Sequence, residues 1–186
     1  MEAPRQDAPN TWQELQSYVR DFLVECGFDA ACDVPVDLAR GAVNVDVCAT
    51  DRSSAPSSSL VIECKHWNTA IPQTIVHAFR TVVADSGATH GFIVAKAGYQ
   101  SGASSASEYS NIQLTTWHSF QHVFEHRWVT HQIRSVRQIG EDVRNYCDPL
   151  EDYVSAKLAD CSGRFRQQYR ELVERHVTVG VLAHEW

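Results

Sequence analysis

The chain has 186 residues, 44% apolar and 21% charged, enough for one domain with a proper core plus a helical appendage. No apolar run approaches the roughly 20 residues that span a bilayer, and the opening MEAPRQDAPN lacks the apolar centre of a secretion signal, so no membrane association and a cytoplasmic location are expected. The net charge of −7, of which residues 1–117 carry −6, excludes a protein that binds nucleic acid by bulk attraction alone.

Thr11-Trp12-Gln13-Glu14 has the S/T-x-x-E form of a capping box. Leu15, Val19, Phe22 and Leu23 follow at helical spacing, and Gly27 is a stop, so a helix is expected over 12–26. Phe28 to Val36 reads as a short strand with a turn at Pro35. From Ala42 to Ala49 the residues alternate, with Val43, Val45 and Val47 on one face and Asn44, Asp46 and Cys48 on the other. RSSAPSSS (52–59) is a polar hairpin loop before a strand at Leu60–Lys65.

Pro72 suits the first turn of a helix whose apolar face holds Ile75, Val76, Phe79, Val82 and Val83 and which Gly87 ends. A strand at 91–95, a small-residue helix at 103–110 and a strand at 112–116 follow. The pattern then turns helical, over about 118–146 and 149–175, with Asp148-Pro149 as the break. The tail VTVGVLAHEW reads either as a strand or as the start of a further segment. The order α-β-β-β-α-β-α-β followed by helices implies an α/β sheet with helices on both faces. None of the six cysteines forms a C-x-x-C pair, and all six are read as reduced thiols of a cytosolic protein.

The strand at 60–65 carries two opposite charges near its end. Glu63 and Lys65 share one face by the period of two. If the preceding strand pairs antiparallel with it, Asp46 sits across from Glu63. Two close carboxylates repel unless a cation offsets them. Mg2+ does so with one or two carboxylates and several waters, and the Cys64 carbonyl offers a third oxygen. Lys65 would then stand beside a metal-bound water, to orient it, help deprotonate it or stabilise charge on a phosphoryl oxygen. E-x-K alone is equally the pattern of a solvent-facing ion pair. The aspartate on the preceding strand and the shared parity give it weight.

Taken in order, Glu14 on the first helix, Asp46 in GAVNVDV, the Glu63-Cys64-Lys65 element and the segment IPQTIVHAFRTVVADSGATHGFIVAKAGYQSGA resemble the PD-(D/E)xK nuclease superfamily, and within it the Mrr-like restriction endonucleases. The resemblance covers about 11–117. It implies a restriction-endonuclease-like mixed β-sheet flanked by helices, with 118–186 a helical extension for oligomerisation or partner contact. It also implies Mg2+-dependent (or Mn2+-dependent) hydrolysis of DNA in restriction or anti-phage defence. Asp46, Glu63 and Lys65 are the expected catalytic set. Asp46, Glu63, the Cys64 carbonyl and Glu14 are the expected metal ligands, although Glu14 is equally the partner of the Thr11 cap. His66, Arg80, Lys96 and Gln100 are the expected DNA-facing residues. A dimer or a partner defence protein would suit cutting of two strands.

Two other readings keep the fold: a non-catalytic interaction module, or a nuclease for RNA or branched DNA. Tyr99 is placed either to stack on a base or to pack on its own domain. His118, His122 and His126 share a helix face at metal-binding spacing, but without H-E-x-x-H or a cysteine pair a polar face is the simpler reading. Lys96 to Gly102 is not a phosphate-binding P-loop, and Asp85-Ser86-Gly87 lacks the context of a serine nucleophile.

Overall fold

The structure is a computed structural model that describes residues 4–5, 7–38, 41–53, 55–147 and 152–182. Among the described residues the elements are, in order, α1 (Trp12–Glu25), β1 (Asp29–Leu38), β2 (Gly41–Asp51), β3 (Ser58–Lys65), α2 (Gln73–Ser86), β4 (His90–Ala95), α3 (Ser101–Ser107), β5 (Ile112–Thr115), α4 (Trp117–Cys147), α5 (Asp152–Ala159) and α6 (Gly163–Leu182). Met1–Val129 and Thr130–Trp186 are two compact units, and α4 begins in the first.

The first unit is a five-stranded sheet in the order β1-β2-β3-β4-β5. β1, β2 and β3 pair antiparallel, while β3, β4 and β5 pair parallel. Helices cover both faces, because the strands bury apolar side chains on both. On one face Leu15, Val19 and Phe22 of α1 and Trp117 and Phe120 of α4 pack on Val47, Ile62, Phe92 and Val94. On the other, Val76, Phe79 and Val83 of α2 and Ala103 and Ala106 of α3 pack on Val45, Val61, Ile93 and Ile112. Each fully buried aliphatic or aromatic side chain contributes about 1.5–3 kcal/mol.

Gly91 in β4 is where α2 comes closest to the sheet. A Cβ there would lie 2.5 Å from Val83 Cγ2 and 2.9 Å from Phe79 Cε1. Gly91→Ala is expected to destabilise the protein by about 2 kcal/mol through overpacking, read as a lower urea midpoint at unchanged slope; an unchanged midpoint refutes this packing.

Several sequence expectations are corrected. β1 does not turn at Pro35: it runs on to Leu38, with Pro35 opposite Asn44. β1 is an edge strand, where a residue without an N–H is tolerated. The three valines of β2 do not share a face. Val43 and Val45 pack on the α2 side and Val47 on the α1 side. β1 makes the same change, with Cys32 on one side and Val36 on the other. Both switches centre on Asp33 and Asp46, which lie opposite each other by register yet form no ladder pair. Asp33 has φ 52, a left-handed conformation that aspartate tolerates better than most residues.

Gly87, at φ 67, closes α2 in the left-handed conformation. Pro72 is the residue before that helix rather than in its first turn. The helix expected over 149–175 is two helices, broken around Cys161, where Ser162 Oγ accepts the Phe165 N–H at 3.3 Å and starts α6. α6 continues to Leu182, so residues 177–182 of the tail are helix, not strand. The break at Asp148-Pro149 and the last four residues lie outside the described residues. In the second unit α6 leaves Phe165, Leu172 and Val177 exposed.

Among the described residues five cysteines are free thiols, and no helix is long and apolar enough to cross a membrane.

Candidate active site

The site forms where β2 and β3 part. Their ladder ends at Val47 and Ile62, and the next pair in register is Asp46 opposite Glu63. One step further the Cys64 N–H would reach for the Val45 carbonyl. Instead it donates to Asp46 Oδ2 at 2.7 Å. A side-chain carboxylate thus takes the place of the ladder acceptor and keeps the fork open. In a strand the N–H and C=O of one residue project to the same side. The Cys64 carbonyl therefore faces this fork, whereas the Lys65 carbonyl accepts the Lys96 N–H at 3.0 Å on the β4 side.

Gln16 of α1 donates from Nε2 to Asp46 Oδ1 at 2.8 Å. Both Asp46 oxygens are thus oriented by neutral donors, one from the helix and one from the neighbouring strand. Sequence reasoning missed Gln16. The signal was a glutamine between Leu15 and Val19 on the buried face of a helix, where a polar side chain needs a partner.

Glu63 and Lys65 form an ion pair through Oε1 and Nζ, both mostly buried. Burial pushes the Glu63 carboxyl up, the Lys65 ammonium pulls it down, and the Asp46 charge pushes it up again. The Lys65 ammonium also lies 5.7 Å from the centre of the Trp67 ring. Burial holds the Cys64 thiol protonated, well above its usual range, reinforced by Asp46 and Glu63, so its backbone oxygen rather than its sulfur is the available donor.

This donor set fits a hard divalent cation. Each carboxylate offers about four lone-pair sites, and the hydrogen bonds described occupy one on each Asp46 oxygen. All the donors are oxygen, as Mg2+ or Mn2+ prefers. Among the described residues no group of three or more His, Cys, Asp or Glu side chains could hold a metal, so Asp46 and Glu63 would need backbone and water oxygens to complete a shell.

The other expected residues are placed as follows. The Glu14 carboxylate accepts the Asn10 N–H at 2.7 Å, and its own N–H donates to Thr11 Oγ1 at 3.1 Å, so it serves the start of α1. His66 Nε2 lies 3.1 Å from the Pro9 carbonyl. Lys96 Nζ donates to Asn68 Oδ1 at 2.9 Å. Both side chains border one cavity at the ends of β3 and β4. Arg80 donates to the Ala106 carbonyl at 3.0 Å and ties α2 to α3. Gln100 precedes α3 and reaches the Ala70 carbonyl at 3.4 Å.

Tyr99 does not present its ring for stacking. Its hydroxyl lies 2.6 Å from the Ile93 carbonyl and 2.8 Å from that of Thr115, and burial pushes its pKa up. His118 and His122 meet through their Nε2 atoms at 3.1 Å, and His122 Nδ1 lies 3.1 Å from Glu125.

The fold is a mixed sheet with helices on both faces, and two carboxylates meet at a strand fork. The Mrr_cat restriction endonuclease family model matches residues 8–140, and the chain belongs to that family. Its fold is restriction-endonuclease-like. A crystal structure titled as that of the protein of unknown function AF1548 has the same fold, with a TM-score of 0.51 and 17% identity over 91% of this chain and 98% of that one. The DNA modification-dependent restriction endonuclease AspBHI is a more distant likeness, at TM-score 0.34 and 16% identity over 69% of this chain and 40% of that one. No curated protein sequence matches.

Proposed function

We propose that this restriction-type endonuclease domain cuts DNA by metal-dependent phosphodiester hydrolysis, with Asp46, Glu63 and Lys65 as its catalytic residues. The observation that carries this reading is the Asp46 side chain held open at the β2–β3 fork, beside the Glu63–Lys65 pair. Asp46, Glu63 and the Cys64 carbonyl would hold Mg2+ or Mn2+. The bound ion would supply charge neutralisation at the phosphoryl oxygens and a more acidic water. Gln16 and the Cys64 N–H fix the direction of the Asp46 lone pairs. Lys65 donates from its ammonium, either to the attacking water or to a developing negative oxygen. In-line attack would leave 5′-phosphate and 3′-hydroxyl ends.

Glu14 belongs to the helix cap in this reading, and the residue of α1 that reaches the site is Gln16, which orients Asp46 rather than binding the metal. We further propose a restriction or anti-phage defence role in the cytoplasm, a nuclease core over 11–117, and use of the region after 117 in self-association or partner contact. The net charge of −7 favours a partner or further domain that supplies DNA affinity.

Supercoiled plasmid incubated with Mg2+, with Mn2+ or with EDTA tests the core claim. Nicking or linearisation with either metal and none with EDTA is expected. Cleavage that survives EDTA, or no cleavage of duplex DNA, branched DNA or RNA with either metal, sinks it.

A further inference from the structure

Near the proposed catalytic cluster, at the same end of β3, lies a cavity of about 230 Å3. Lys65 and His66 are consecutive, but they lead to different places. Lys65 joins Glu63, whereas His66 borders the cavity together with Leu15, a core residue of the α1 side. Only the end of β3 separates the two. The cavity runs along the carboxyl ends of β3, β4 and β5, which supply His66, Ala95-Lys96 and Thr116. Ligands of sheets with parallel strands collect at that end.

The lining has two characters. Leu15, Ala95 and Trp117 give it an apolar body. His66, Lys96 and His118 give it nitrogen donors. Among the described residues no aspartate or glutamate borders it. Lys96 spends one of its three donors on Asn68, and His118 meets His122 through Nε2, so both retain capacity for another partner. An apolar recess beside an ammonium and two imidazoles fits a flat, weakly polar body joined to an anion.

We propose that this cavity holds one nucleotide of the DNA strand being cut, with its base in the apolar recess and a phosphate on Lys96 and His118. The inference rests on the nuclease reading for the identity of the strand, and the cavity chemistry is independent of it. Base–aromatic contact tolerates any sequence, so the cavity would grip the strand without reading it.

Binding is measured in EDTA, so that no metal recruits phosphate to Asp46 and Glu63. The probes are a 5′-phosphorylated pentathymidylate, thymidine 5′-monophosphate and inorganic phosphate. The pentamer is expected to bind, with thymidine monophosphate competing and inorganic phosphate competing far less. Lys96→Ala and His118→Ala should each weaken the pentamer about tenfold, the size of one lost hydrogen bond to a charged group. Lys96→Arg should restore most of the loss. Both altered residues are exposed, and unchanged melting curves would show that the fold persists.

Affinity unmoved by both alanine variants overturns the proposal. So does phosphate competing as well as the mononucleotide, which marks a plain anion site. A mononucleotide that binds where the pentamer does not also overturns it, since the ligand is then a free nucleotide. Binding as expected in a protein that cuts nothing supports the cavity and removes the nuclease reading. Cutting with no effect of the variants on binding does the reverse.

Discussion

Lys65→Ala is expected to lower metal-dependent plasmid cleavage by roughly 10³-fold, the scale of removing one preorganised donor from a transition state. The Asp46 partners, Gln16 Nε2 and the Cys64 N–H, are neutral, so Lys65 supplies the positive charge that pairs with Glu63. Its loss has a second effect with a definite sign. The ammonium lowers the Glu63 carboxyl against burial and the Asp46 charge, both of which raise it. Without Lys65 that carboxyl rises further, protons compete better with a metal, and the residual activity shifts to higher pH. Initial rates between pH 6 and 9 read both effects. Melting in EDTA should fall as well, because the substitution leaves the mostly buried Glu63 carboxylate without its partner. Equal rates for wild type, Lys65→Ala and Asp46→Ala would remove this site from the chemistry.

Arg127→Ala is expected to cost about 3 kcal/mol, as removing one partner of a mostly buried ion pair does. Asp51 at the end of β2 is nearly inaccessible at 5%, and its Oδ2 accepts from Arg127 at 2.6 Å. The same guanidinium donates to the Cys26 carbonyl at 2.8 Å and lies 3.8 Å above the centre of the Phe28 ring. One side chain therefore joins α4 to β2, to the end of α1 and to the start of β1. The Arg127 and Ser53 donors hold the Asp51 carboxyl well below the usual carboxylate range. A depressed folded pKa stabilises the fold above the unfolded value of about 4 and is lost as pH falls through the folded value. The gap between wild type and variant should thus be full at pH 7 and narrow steadily below about pH 4. Urea midpoints at pH 7 and pH 3 measure it. Equal midpoints at pH 7, or a gap that widens in acid, would refute the role given to this pair.

The sequence showed most clearly those features that depend on neighbours along the chain. Thr11 and Glu14 mark the start of α1 because their hydrogen bonds close within one turn. Gly87 marks the end of α2 because only local backbone sterics are involved. The alternation on β3 placed Glu63 and Lys65 together because a strand fixes parity. Asp46 was legible as a carboxylate on the preceding strand, but its way of working was not. Its two partners come from 30 residues upstream and 18 downstream, and no local pattern encodes that meeting. The face switch of β1 and β2 was hidden for a related reason. Valines at every second position predict one face for as long as the strand keeps its twist, and Asp33 breaks that assumption. Pro35 read as a turn because the sequence does not say which strand will lie at an edge. The division between α5 and α6 was missed because Ser162 resembles any other polar residue of an exposed helix.

The form of β1 also bears on how copies of this protein can meet. An outer strand is a ready template for another chain to zip onto, the route into fibrils and swapped assemblies. β1 blocks that route. Pro35 offers no N–H, Asp33 bends out of the ladder geometry, and Asp33 and Asp37 add like charges to the border, while Asp29 is paired with Arg52 at 2.9 Å. A second molecule brought alongside would meet a kinked, anionic border with a missing donor. Continuous strand addition at β1 is therefore disfavoured, and other surfaces are better suited to assembly.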